Sequence, residues 1–212
     1  MVFNEKYRIK FTNTSLRKAV REYLNDPSTA ERKYNRIAFW DTSSVVDMSR
    51  LFKNACTFNG DVSKWDTSSV VNMNRMFFNA HAFNRDLNWD TSSVVNMHLM
   101  FFNARAFNGD LNWNTSSVIT MEGMFSHSHA FNRDLNWNTL SVTTMQEMFS
   151  HSQAFNGNIH NWNTGSVVDM SFMFCHARVF NRNTSNWNTS SVTTMRGMFY
   201  SAPVFNCNLY WD

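Results

Sequence analysis

Three histidines, His127, His151 and His176, stand 24 and 25 residues apart, each two positions after a Met-Phe pair. Imidazoles brought into one row, with His129 close by, could hold a zinc-like ion. Neighbouring histidines need only share solvent and hydrogen bonds, however, and the reading here is no metal and no cofactor. Asp61, Asp86, Asp110 and Asp134 form a second set, of a kind calcium takes, beside Arg85, Arg133 and Arg182, which alternate with Gly60, Gly109 and Gly157. Arginine neutralisation and turn hydrogen bonds are the expected answer to their repulsion. A third set changes character at nearly every step: Ser49, Asn74, His98, Glu122, Gln146, Ser171 and Arg196, flanked by Arg50, Arg75, Leu99, Gly123, Glu147, Phe172 and Gly197. Variable positions beside fixed ones are what a recognition surface looks like. Arg75, His98, Glu122, Gln146, Arg196, Arg85, Arg133, Arg182, His127, His151 and His176 are therefore the candidate binding residues.

Catalysis is not expected. A catalytic site needs different groups converging on one point, whereas this chain repeats the same groups in the same order. Gly-rich phosphate loops, the GxSxG elbow and HExxH are absent from the sequence, as is a Cys/His pair at catalytic spacing. Thr67, Thr91, Thr115, Thr139, Thr164 and Thr189 recur regularly enough to raise ice binding, but each lies at a bend where its hydroxyl has a backbone task.

The elements that position these residues follow from one repeat. Tryptophans fall at 40, 65, 89, 113, 137, 162, 187 and 211, every 24 or 25 residues. Each interval reads W-[DN]-T-x-S-V-x-x-M-x-x-[ML]-F-x-x-[AS]-x-x-F-N. One such unit cannot bury its own apolar face and must stack on its neighbours. The period is too short for a propeller blade, a tetratricopeptide or an ankyrin unit and suits leucine-rich units. Val70, Met73, Met76, Phe77 and Ala80 have helical spacing, and Leu87 and Trp89 alternate with Asn88 as in a strand. The expected fold is an α/β repeat solenoid, a leucine-rich-repeat-like right-handed coil. Each repeat would hold one short parallel strand near the Trp and a short helical turn through Met-x-x-Met-Phe. The alternative puts the strand at Ser-Val-Val-Asn-Met, as the β-branched run Val118-Ile119-Thr120 suggests.

The unit W-[DN]-T-S-S-V-x-x-M-x-x-M-F-x-x-A-x-x-F-N-x-D-L resembles the roughly 25-residue repeat of the BspA-like bacterial and mycoplasma-type surface proteins, relatives of leucine-rich repeats. The likeness covers residues 40–212, and Leu16–Leu24 with Tyr34–Asp41 resembles the helical lead-in of those arrays. It implies surface adhesion or interaction, with a cell-surface or secreted location, although the chain shows no signal peptide or anchor.

Two domains are expected: an N-terminal cap over 1–39 and seven repeats over 40–212. In the cap, Tyr7, Ile9 and Phe11 alternate with Lys6, Arg8 and Lys10 as a short strand. An amphipathic helical stripe from Leu16 to Leu24 follows Asn13-Thr14-Ser15, and a second helix opens at Pro27 with Ser28 and Glu31 in a capping-box pattern. At the far end Phe205, Leu209, Tyr210 and Trp211 have no polar terminal unit after them and are expected to form an end-to-end interface, giving a homo-oligomer.

Composition narrows the class further. Of 212 residues, 17% are charged and 16% aromatic, which excludes a disordered chain. Apolar runs fall short of a membrane helix, so no membrane insertion is expected. Residues 1–39 hold nine Lys/Arg against four acids, and 40–212 hold ten against twelve. That basic head reads as the solvated face of a helix, not as a nucleic-acid site. Three cysteines without CxxC spacing suggest neither a disulfide framework nor a thiolate zinc site. The functional expectation is a non-enzymatic repeat module that binds a protein or glycan ligand. The alternative is a structural subunit of a larger assembly, docked through its C-terminal end.

Overall fold

The computed structural model describes residues 9–211. Of the expected first strand, Tyr7 and its charged neighbours Lys6 and Arg8 lie outside those residues, and what remains is a single parallel bridge from Lys10 to Asp41. Helix α1 (Asn13–Asn25) buries Leu16, Ala19 and Val20. Its start is closed by Thr12, whose hydroxyl accepts from the Ser15 N–H while the Ser15 hydroxyl accepts from the Thr12 N–H. Helix α2 (Pro27–Tyr34) is capped by Asp26 and not by Ser28. With proline at the first helical position, the residue before it becomes the N-cap. The Asp26 carboxyl accepts from Thr29 and Ser28, which holds its pKa down to about 2. A 3-10 turn at Ile37–Phe39 leads into the first coil.

The expected strand and helix of each repeat do not form, and this overturns the leucine-rich-repeat-like solenoid reading. Both α-helices lie before residue 35, and among the described residues pairing is confined to isolated one-residue bridges. The reason is local. Each coil puts two residues in the left-handed region, at φ 53–63°, four positions apart: Arg75 and Asn79, then Leu99 and Asn103, then Gly123 and His127. A helical ladder cannot run through them. Instead, alternate N–H groups turn in different directions. Met73, Arg75, Phe77 and Asn79 donate to Asn96, His98, Met100 and Phe102 of the next coil, at 2.8–2.9 Å. Met76, Phe78 and Ala80 donate back three residues, to Met73, Arg75 and Phe77, at 2.9–3.2 Å. Half of the backbone polarity in this stretch is thus met inside the coil and half by its neighbour. The bridges Asp47–Asn72–Asn96–Thr120–Thr144–Asp169–Thr194 fall just before the first Met, on the Ser-Val-Val-Asn-Met segment and not near the Trp.

Stacked turns therefore carry the architecture, and side-chain columns hold it. From Trp89 to Trp211 successive indoles sit 6.0–6.3 Å apart with planes within 5°. The Phe77 column repeats at 5.4–5.7 Å and the Phe83 column at 5.8–6.0 Å. Within one coil the two phenyl rings lie 3.8–4.1 Å apart. Burying one such ring contributes about 1.5–3 kcal/mol, and each contact between rings adds about 0.5–1.5 kcal/mol. A coil gains this only with a coil on either side.

Polar columns tie the same coils together. Each Thr after the Trp-Asx pair is buried, and from Thr42 to Thr164 each donates to the next coil, as Thr91 does to the Asn114 carbonyl at 2.8 Å. Each Asn after the second Phe accepts from the next coil's N–H, as Asn108 Oδ1 does from Asn132 at 3.0 Å. From Trp65 onward tryptophan Nε1 reaches the preceding coil everywhere but at Trp187, with Trp113 donating to the Leu87 carbonyl at 2.7 Å. The 25-residue intervals absorb their extra residue just before the Trp. There Asp61, Asn158 and Asn183 accept from the N–H two positions on, and the Trp N–H bonds back three residues.

Candidate functional site

The second left-handed position of each coil and the residue before it form one surface stripe. Asparagine tolerates positive φ better than most residues, and Asn54, Asn79 and Asn103 occupy the position first, their amides laddered at 2.9 Å. His127, His151 and His176 then take it over. The preceding residue changes in step. It is Phe78 and Phe102 beside the asparagines, then the smaller Ser126, Ser150 and Cys175 beside the histidines, then Tyr200. Small neighbours leave room for imidazoles to lie where phenyl rings lay. The result is an unbroken run of rings. Phe78 and Phe102 stack at 4.7 Å, Phe102 meets His127 at 5.4 Å, and His127 and His151 stack at 4.3 Å with planes 7° apart. His151 and His176 follow at 4.4 Å and 24°, and His176 meets Tyr200 edge-on at 5.5 Å. Lys53 Nζ lies 5.6 Å over Phe78 at the other end.

These rings are half-buried, and Tyr200 is 64% exposed. Burial first, then the charges of neighbouring histidines and Arg105, pulls His127 below the usual imidazole range. His151 is lowered by burial and by His176 and His129, against a small opposing effect of Glu147. Neutral rings stack without repulsion. Cys175 is buried beside them, and burial pushes its thiol up.

The variable columns bring together three more of the expected residues. Arg75 Nη2 lies 3.4 Å from His98 Nε2, and His98 Nδ1 lies 3.5 Å from Glu122 Oε2. With guanidinium N–H groups as donors, Nε2 is the accepting nitrogen and Nδ1 carries the proton toward the carboxylate. Burial lowers the His98 pKa, Glu122 works against it, and Arg75 assists it. Gln146 sits further along with its N–H on the Thr144 hydroxyl at 3.3 Å. Arg196 lays its guanidinium 5.6 Å over Phe172.

The arginine column is spent on the fold. Arg85, Arg133 and Arg182 each direct Nε to the carbonyl of an Asn in the preceding coil, Asn59, Asn108 and Asn156, at 3.1, 2.8 and 2.6 Å. Arg133 also pairs with Asp110 at 3.3 Å. The alternation with glycine has a steric cause. A Cβ at Gly109 would stand 2.3 Å from the Arg85 carbonyl oxygen, and one at Gly157 would stand 2.0 Å from that of Arg133. Arg182 also lines an open hollow of about 380 Å³ with Asp134, Asn158, His160 and Asn183. In the last coil Phe205 and Trp211 continue the core columns and are half-buried, as is Leu209, while Tyr210 is 77% exposed. The threonine column is buried, so it offers no regular exposed hydroxyl array.

The family described as a Mycoplasma protein of unknown function, DUF285, matches residues 20–136 and 135–212. The chain belongs to this family. That assignment replaces the BspA-like, leucine-rich-repeat-like resemblance, whose strand-and-helix unit the repeats do not contain. The DUF285 description assigns no activity, so the adhesive, surface role drawn from the resemblance loses that support. No curated protein and no solved structure matches the chain. Sequence reasoning found the histidines but missed Lys53, Phe78, Phe102, Cys175 and Tyr200. Their signal was present, because aligning the repeats one column earlier shows rings giving way to small residues where the histidines begin.

Proposed function

We propose that the chain is a non-enzymatic binding module that holds an extended protein or glycan partner along the ridge from Lys53 to Tyr200. The observation that carries this reading is the continuity of the ridge: six rings from six successive coils touch in sequence while keeping part of each face in solvent. Every coil beneath them is bonded to the next through backbone, Thr and Asn columns, and the indoles stack throughout, so the rings are ordered before a partner arrives. Little further side-chain entropy is lost on contact. Ring faces offer apolar area to sugar C–H groups or to apolar side chains, and the imidazole, phenol and ammonium groups supply hydrogen bonds at intervals set by the coil spacing.

The test compares the wild-type chain with a Phe78→Ser/Phe102→Ser variant, which places at both positions the residue found at 126 and 150. Both are presented to a panel of immobilised oligosaccharides and to cross-linked extracts. A partner held by the wild type and at least about tenfold weaker on the variant supports the ridge. Equal retention by both, or none by the wild type, overturns it.

A further inference from the structure

We infer that His151, Cys175 and His176 form a binding site for one thiophilic divalent ion of the zinc class. This goes beyond partner recognition and does not depend on it. The ligand atoms of the three side chains all lie within 4.8 Å of one another. Two nitrogens and a sulfur are the donor set of tetrahedral zinc sites that keep a fourth position for water, with ligand distances of about 2.0–2.3 Å. Rotation about the side-chain bonds must close the remaining gap.

Three features of the fold make this cluster more than proximity. His151 and His176 both sit at φ 57°, the backbone conformation that throws the imidazole to the same side of the coil as its neighbours. The His151 N–H donates to the Cys175 carbonyl at 2.7 Å, so the main chain itself sets the separation of the two coils at the site. The imidazole planes of His151 and His176 are inclined by 24°, whereas those of His127 and His151 are inclined by only 7°. Further turning of both rings in that sense would bring their in-plane lone pairs onto one ion, which parallel rings cannot do. The pair His127 and His151 also lacks a sulfur, having Ser126 and Ser150 where the next coil has Cys175. The donor set is therefore complete at one step of the column, and the expected stoichiometry is one ion per chain. Binding exchanges ligands: the Cys175 S–H gives its proton to solvent, the thiolate and two imidazole nitrogens replace waters of the hydrated ion, and one water remains.

The experiment uses Co²⁺ as the spectroscopic probe on the full chain, kept reduced, with Zn²⁺ as competitor. The wild type should bind one equivalent, with a thiolate-to-cobalt charge-transfer band and tetrahedral d–d absorption, both abolished by one equivalent of Zn²⁺. Cys175→Ser installs the residue of the two preceding coils and should lose the charge-transfer band while keeping the wild-type circular dichroism. His151→Asn and His176→Asn install the residue of the first three coils and should each weaken Zn²⁺ binding by at least about tenfold. His127→Asn should leave it unchanged. Absence of the band in the wild type overturns the assignment. So does an undiminished band in Cys175→Ser, which would place the ligand at Cys56 or Cys207.

Discussion

Alanine at Gly157 tests how tightly successive coils are pressed together. The added Cβ would stand 2.0 Å from the Arg133 carbonyl oxygen and 2.7 Å from its carbon. A carbon and a carbonyl oxygen rest at about 3.3 Å, an overlap of about 1.3 Å. Both partners are backbone, so neither rotates away. Relief requires the coils to part where Asn158 N–H meets Asp134 Oδ1 at 2.7 Å and Leu135 N–H meets the Asn158 carbonyl at 3.0 Å. Overpacking costs about 1–3 kcal/mol, and one or two weakened hydrogen bonds add about 0.5–1.5 kcal/mol each. The sum is about 1.5–6 kcal/mol, which for a chain of this size lowers Tm by about 3–24 °C. Gly165→Ala is the control. Its Cβ meets only the side-chain amides of Asn163 and Asn188, at 3.3 Å, and serine occupies the same place in other coils, as at Ser68 and Ser92. That variant should melt with the wild type or gain about 0.4–1 kcal/mol from the stiffer unfolded chain. Thermal melts followed by circular dichroism read both. If Gly157→Ala melts within about 1 °C of the wild type, where about 2–4 °C per kcal/mol is expected, the coils are not in this register.

Two further expectations follow from the polar columns. Trp113→Phe removes the donor to the Leu87 carbonyl and leaves a buried acceptor unpaired, at about 1–3 kcal/mol, whereas Trp187 Nε1 is buried without a hydrogen-bond partner and Trp187→Phe lacks that cost. Urea midpoints should fall further for Trp113→Phe, and equal losses would show that the indole bond contributes nothing. His98, lowered from 6.5 chiefly by burial, adds stability that is present above that pH and lost as pH falls through its folded value. An NMR titration should place His98 below 6.5, with Glu122→Gln lowering it further and Arg75→Gln raising it; opposite movements would reject the Arg75–His98–Glu122 row.

Much of this molecule was visible along the chain. A tryptophan every 24 or 25 positions can be buried in so short a unit only against the next copy, and the indoles do lie over one another. The hydrogen-bonding tasks of Thr91 and Asn108 were also legible, since an amide or hydroxyl repeated at a bend has backbone groups to satisfy there, and in the stacked coils those belong to the adjoining coil. The helical spacing of Val70, Met73, Met76 and Phe77 misled. Spacing reports which side chains face inward, and alternating turn bonds and coil-to-coil bonds satisfy that demand as well as a helix does. Arg75 and Asn79 at positive φ decide between the two; asparagine is a residue that accepts that region, but nothing in the type of Arg75 announces it.

The candidate site divides in the same way. That His127, His151 and His176 share a column follows from counting. That Phe78 and Phe102 join them, that His98 lies between Arg75 and Glu122, and that Cys175 faces His151 depend on side-chain direction across residues 23 to 25 positions apart. Period settles what stacks on what, because burial must be shared between copies. Which side chains meet at the surface is settled only when each coil's backbone has chosen its turns, since those turns aim the side chains.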